Sequence, residues 1–180
     1  MNNNIRMNWA KRHTGSKKKI FLASAIAAII VISSMSGINC LGTNSKVFSA
    51  NGLSITLPKS FAEKEDSNYS AIYQSQNTVV SVAREDDPSL AQAGALTNVS
   101  IIGFTEKLIS MFQVDTMPTI GYGLIFFTYD KTISEKSFTY FATVFTGNNA
   151  YWLVQFSCET KDYDKLEQKF IGWAQTVSFS

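Results

Sequence analysis

SFTYFATVFTGNNAYWLVQFSCE, residues 137–159, holds two β-rich runs on either side of Gly147-Asn148-Asn149. Glycine and asparagine tolerate positive φ, so this triplet predicts a tight hairpin turn. Side chains alternate across a strand. In the second run Trp152, Val154, Phe156 and Cys158 therefore share one face, and Tyr151, Leu153 and Gln155 share the other. One face must build the core. The second face is either covered by a helix or is a docking patch for a protein or an apolar ligand, with Tyr151, Leu153 and Gln155 as its candidate residues.

Outward from the hairpin the same signals recur. GLIFFTYD (123–130) is a third strand of this meander. Upstream, LSITLP (53–58) alternates as a half-buried strand ended by Pro58. SAIYQ (70–74) and TVVSVAR (78–84) read as short strands about a turn, and FAEKEDSN (61–68) as a charged turn. Ile101, Phe104, Leu108 and Met111 fall at i, i+3, i+7 and i+10, which predicts a helix over about 98–112, broken by Met117-Pro118. Leu166, Phe170 and Trp173, with Tyr163 on the same side, predict a second helix, capped by Asp162 or Thr160. Val177 leads into a short terminal strand.

Strands and hairpins are segregated from the helices, with no strict βαβ alternation. That argues for an α+β fold: an antiparallel sheet of about six strands with two main helices packed on it, preceded by an N-terminal hydrophobic helix.

The N-terminus carries the other strong pattern. Six of the sixteen Lys/Arg (Arg6, Lys11, Arg12, Lys17, Lys18 and Lys19) and no acidic residue lie in the first 19 positions. The remainder holds ten Lys/Arg against fourteen Asp/Glu, a net of −4. No basic surface for nucleic acid survives once the tail is set aside. IFLASAIAAIIVI (20–32) follows, and no charge appears between Lys19 and Lys46. Thirteen apolar residues suit a signal-peptide core, while residues 20–41 would extend roughly 33 Å as a helix, enough to cross a bilayer. The basic flank keeps the N-terminus in the cytoplasm and sends the rest across.

Three outcomes remain for this segment. It is an uncleaved anchor, a signal cut before Gly37 with Ser34 and Ser36 as the small residues, or a lipidated terminus at Cys40. Gly37 and Asn39 fit a lipobox poorly. The domains expected are a cytoplasmic basic tail (1–19), a transmembrane anchor or signal segment (20–41), a linker (42–51) and an extracytoplasmic α+β domain (52–180). The location expected is a cell membrane, crossed once, with secretion or a lipid anchor as alternatives.

The opening NGLSITLPKSF and the ending SCETKDYDKLEQKFIGWAQTVSF resemble the PsbP-like superfamily, the Mog-one/PsbP fold, including bacterial envelope lipoproteins related to DcrB. The resemblance covers about residues 48–180. It implies a sandwich around an antiparallel sheet, and an accessory, binding or assembly factor rather than an enzyme. It carries no set of functional residues onto this chain.

The residues themselves offer little chemistry. His13 is the sole histidine and lies in the basic tail, so the domain has no imidazole for a catalytic triad or a zinc site. Two cysteines make no disulfide framework, and Cys158 reads as a buried thiol. Glycine-rich phosphate loops are missing. Glu85, Asp86 and Asp87 form an acidic loop without the spacing of a calcium site, and Glu63, Glu65 and Asp66 a solvated turn. No catalytic, cofactor-binding or metal-binding residue is assigned and no cofactor is implied. The function expected is an extracytoplasmic binding or accessory domain docking an envelope protein or a small apolar ligand; the alternative is a carboxylate-dependent hydrolase of the cell envelope.

Overall fold

The computed structural model describes residues 44–86 and 101–180. The basic tail, the apolar segment 20–41, Asp87 and the expected helix start at 98 lie outside the described residues. The described chain runs β1 (Ser45–Ala50), β2 (Leu53–Pro58), β3 (Ala62–Lys64), β4 (Ala71–Gln74), β5 (Val79–Asp86), α1 (Ile101–Phe112) and β6 (Thr119–Gly121). It continues through β7 (Leu124–Ile133), β8 (Lys136–Gly147), β9 (Ala150–Glu159), α2 (Tyr163–Ala174) and β10 (Ser178–Phe179). The class is α+β, as the pattern predicts, but the strands form two sheets. One has three strands in the order β1-β2-β10, the other seven in the order β3-β4-β5-β9-β8-β7-β6.

The quoted hairpin is the centre of the large sheet. Phe138 to Gly147 pair antiparallel with Glu159 to Ala150 in unbroken register. Asn148 and Asn149 take φ of 52° and 56°, the pair of positive values a two-residue type I′ turn requires. A β-carbon on Gly147 would run into the Phe179 ring, so glycine lets β10 pack close at this corner. Asn148 Nδ2 donates to the carbonyls of Gly52 and Ser180, both at 3.0 Å, tying the small sheet and the C-terminus to the large one.

Two cores follow from the alternation on β9. On one side Trp152, Val154, Phe156 and Cys158 meet Leu53, Ile55 and Leu57 of β2 and Leu166, Phe170 and Trp173 of α2. The Phe156 and Phe170 rings stack at 5.5 Å, and fully burying a side chain such as Phe170 stabilises by about 1.5–3 kcal/mol. On the other side Leu153, Val144, Ala142 and Phe127 meet Phe104, Leu108, Ile109 and Phe112 of α1.

Local chemistry departs from the sequence pattern at several points. The expected linker 42–51 instead contains β1, paired along its length with β2. Within the expected charged turn lies β3. Neither Asp162 nor Thr160 caps α2 through its side chain; residues Thr160–Asp162 form a 3₁₀ turn that runs directly into the helix. The buried stripe of α1 is Phe104, Leu108 and Phe112 with Thr105 and Ile109, rotated from the predicted stripe so that Ile101 and Met111 are only partly buried. That helix ends one residue before Gln113, whose φ of 56° lets Gln113 and Val114 donate back to the Ser110 and Ile109 carbonyls, closing the last turn.

Candidate functional site

Tyr151, Leu153 and Gln155, expected as a docking patch, are 3%, 2% and 2% exposed. They are corrected here to core residues, because α1 lies across that face. The Phe104 ring stacks on Tyr151 at 4.2 Å with an interplanar angle of 10°. Gln155 tolerates burial because its amide is engaged: Nε2 donates to Tyr129 Oη at 2.7 Å, and Oε1 accepts from Ser81 Oγ at 3.5 Å. Alternation along β9 reveals that both faces are apolar; it does not reveal which face a distant helix covers.

Around Gln155 sits a cluster of phenols. Tyr129 and Tyr140 stack at 4.8 Å. Burial raises the pKa of both, and Tyr140 adds to the rise at Tyr129. Tyr69 is raised as well, first by burial, then by Tyr140 and Asp66. All three stay neutral at ordinary pH, so the cluster offers hydroxyl hydrogen bonds rather than charge. Tyr140 Oη is enclosed without a hydrogen-bond partner among the described residues.

Beside Tyr69 opens a cleft of about 270 Å³, lined by Asn51, Ser67, Asn68, Ser70, Ala83 and Arg84. The guanidinium of Arg84 is fixed from several sides. It lies over the Trp152 ring at 5.2 Å, donates to the carbonyls of Asn51 and Asn148 at 3.4 and 3.5 Å, and pairs with Asp86 at 2.8 Å. Asn51 Nδ2 in turn donates to the Ser70 carbonyl. The cleft can hold a small polar group through hydrogen bonds, but its cation is already matched by Asp86.

The acidic residues are spread over separate tasks. Asp86 answers Arg84. Asp66 accepts from the backbone and side-chain nitrogens of Asn68, both at 2.9 Å, fixing the loop before β4. Glu159 receives Lys161 and Lys136, whose hydrogen bonds hold its carboxyl below the usual range. Among the described residues no group of three or more His, Cys, Asp or Glu is placed to hold a metal ion. Cys158 is wholly buried, and burial followed by the carboxylates of Asp162 and Glu159 pushes its thiol up to about 12, far from a reactive thiolate.

An exposed apolar edge appears where the sequence pattern suggested only a break. Met117, Ile120 and Tyr122 are 78%, 70% and 60% exposed. Ile120 is the central residue of β6, the last described strand of the seven-stranded sheet, whose described neighbour is β7 alone; Met117 precedes that strand and Tyr122 stands in the turn from it to β7. A three-residue strand beside Met117-Pro118 carries too little periodicity to be read in advance. No helix among the described residues is long and apolar enough to cross a membrane; residues 20–41 are outside them.

No protein-family model matches the chain, and no curated protein is detectably similar to it in sequence. Solved structures are similar in fold. The Saccharomyces cerevisiae Ran-binding protein Mog1p matches with a TM-score of 0.51 at 6% identity, over 77% of this chain and 96% of that one. A structure from Bacteroides thetaiotaomicron matches at 0.53 and 12% over 77% of this chain, which spans about half (49%) of that longer protein. Cyanobacterial PsbP (CyanoP) from Synechocystis sp. PCC 6803 matches at 0.48 and 13%, over 82% of this chain and 98% of that one. The Mog-one/PsbP fold expected from the two ends of the sequence is the fold found. At these identities the likeness concerns fold alone.

Proposed function

We propose that this chain is a non-catalytic docking domain, held on the outer side of a membrane by residues 20–41, which binds a protein partner along the β6 edge. The observation that carries this reading is exposed Ile120 on β6, the terminal strand among the described residues, with exposed Met117 just before that strand and Tyr122 just after it. A sheet edge presents unpaired backbone N–H and C=O groups, and proteins usually blunt such edges with charge. Here the edge that no described strand pairs carries Ile120, with Met117 and Tyr122 at its two ends, which suits addition of an extended segment of a partner. That the Ran-binding protein Mog1p has a similar fold supports a binding role. The cleft beside Tyr69 is rimmed by the polar side chains of Asn51, Asn68, Ser70 and Arg84, which gives a small apolar ligand no advantage over a polar one there. A hydrolase needs a carboxyl raised toward neutrality. Glu159 is displaced the opposite way, which lends that alternative no support.

Photocrosslinking in native cells tests the reading. A photoreactive residue at Ile120 gives one discrete protein adduct, and the same probe at exposed Gln168 on the outer side of α2 does not. Equal adducts from both positions, or none from Ile120, would contradict it. The Ile120→Asp variant keeps its thermal midpoint, because the side chain is mostly in solvent, but loses the partner.

A further inference from the structure

Strand β1 begins at Ser45, so the folded domain starts far nearer the apolar segment than a ten-residue linker would allow. Between residue 41 and residue 44 the chain advances three steps, at most ~10 Å at ~3.3–3.6 Å per residue. The linker expected from sequence would have given roughly three times that reach. With so short a tether, one particular corner of the domain is held at the lipid surface.

That corner is built from Asn44, Ser45, Lys46 and Lys59. Lys59 N–H donates to the Asn44 carbonyl at 2.8 Å, and Lys46 stands opposite Leu57 in the register. Both lysines are exposed, and neither belongs to an ion pair among the described residues. Lys46 Nζ lies 4.2 Å from the centre of the Phe48 ring. From Ser45, β1 runs away from this corner toward Ala50, about 17 Å distant at ~3.3 Å per residue. At that far end lie Asn51, Gly52, the Asn148-Asn149 turn and the polar cleft.

We propose that the domain stands on the membrane by its Asn44–Lys46/Lys59 corner, where the two lysines meet anionic lipid headgroups, and points its polar cleft away from the bilayer. Juxtamembrane cations are attracted to anionic headgroups within a Debye length, and the tether keeps these two inside that range. The inference rests on the reading of residues 20–41 as a membrane anchor.

The full chain, reconstituted in vesicles of phosphatidylethanolamine and phosphatidylglycerol, provides the test. A fluorescent amino acid is placed at exposed Ser60, beside the corner, or at exposed Thr146 near the far turn, and quenched by nitroxide-labelled headgroups. Flotation first establishes that the chain stays with the vesicles. Strong quenching at 60 with none above background at 146 is the expected result. Retention with quenching at 146 equal to or above that at 60 overturns the orientation while leaving the anchor standing. Loss of the chain from the vesicles overturns the anchor and the orientation together. Replacing phosphatidylglycerol with phosphatidylcholine is expected to weaken quenching at 60, as is Lys46→Gln with Lys59→Gln; unchanged quenching in both overturns the headgroup contact.

Discussion

Tyr73 and Tyr140 each enclose a hydroxyl without a hydrogen-bond partner among the described residues, and an unmade buried bond costs about 1–3 kcal/mol. Tyr140→Phe is therefore expected to be neutral or stabilising by up to about 1 kcal/mol. Tyr129→Phe removes the acceptor of buried Gln155 and is expected to destabilise by about 1 kcal/mol. Urea unfolding of the two variants decides: an equal loss in both would show that Tyr140 has a role its geometry does not explain. The Cys158 thiol supplies a pH test. Its folded pKa of about 12 lies above the unfolded value of ~8.5, so the folded state favours the neutral thiol. This contribution is complete below ~8.5 and is lost as pH rises toward 12. Cys158→Ala should flatten the fall in stability over that alkaline range in a series of thermal melts. A slope identical to the parent's would contradict the assignment. At this scale the sequence was uneven. Asn148 and Asn149 announced their turn, since positive φ is a local property. The burial of Gln155 was illegible, because its partner comes from Tyr129, 26 residues earlier on another strand.

Elements were legible in proportion to their length and to the contrast between their faces. β2 and β9 were read to the residue, and β8 and α2 nearly so. β1 escaped because only Phe48 is buried among its six residues, which leaves no alternation to detect. β3 and β6, at three residues each, are set by pairing with β4 and β7 rather than by their own pattern. The same contrast predicts local stability. Amide exchange should be slowest in β8 and β9, which are paired on both sides, and fastest in β3 and β6 at the two edges. Slow exchange at β6 in the isolated chain would mean that its free edge is already occupied. For α1, Leu108→Ala is expected to cost about 2–5 kcal/mol, whereas Glu106→Ala on the outer face should stay within ~0.5 kcal/mol. A small cost at Leu108, measured by denaturant midpoint, would mean that α1 is not the true cover of Tyr151 and Leu153.

For the whole molecule, the order of strands and helices was enough to give the α+β class, because hairpins and helices alternate in blocks. That order could not show that the strands divide into a seven-stranded and a three-stranded sheet. The division depends on β2 pairing with β10 across more than a hundred residues of chain. Nor could it show which face of β9 would be covered, and the candidate site moved for that reason from Tyr151, Leu153 and Gln155 to the edge at Met117, Ile120 and Tyr122. The central claim is that the folded domain stands outside a membrane that the segment 20–41 crosses. It is tested most directly by treating cells whose cytoplasmic membrane is exposed and intact with an impermeant amine reagent, and mapping the modified lysines by mass spectrometry. Modification at Lys46, Lys59, Lys107 and Lys169, with Lys11, Lys17, Lys18 and Lys19 protected until the membrane is opened, is the predicted result. Protection of the domain lysines in intact cells, or modification of both groups alike, would contradict it.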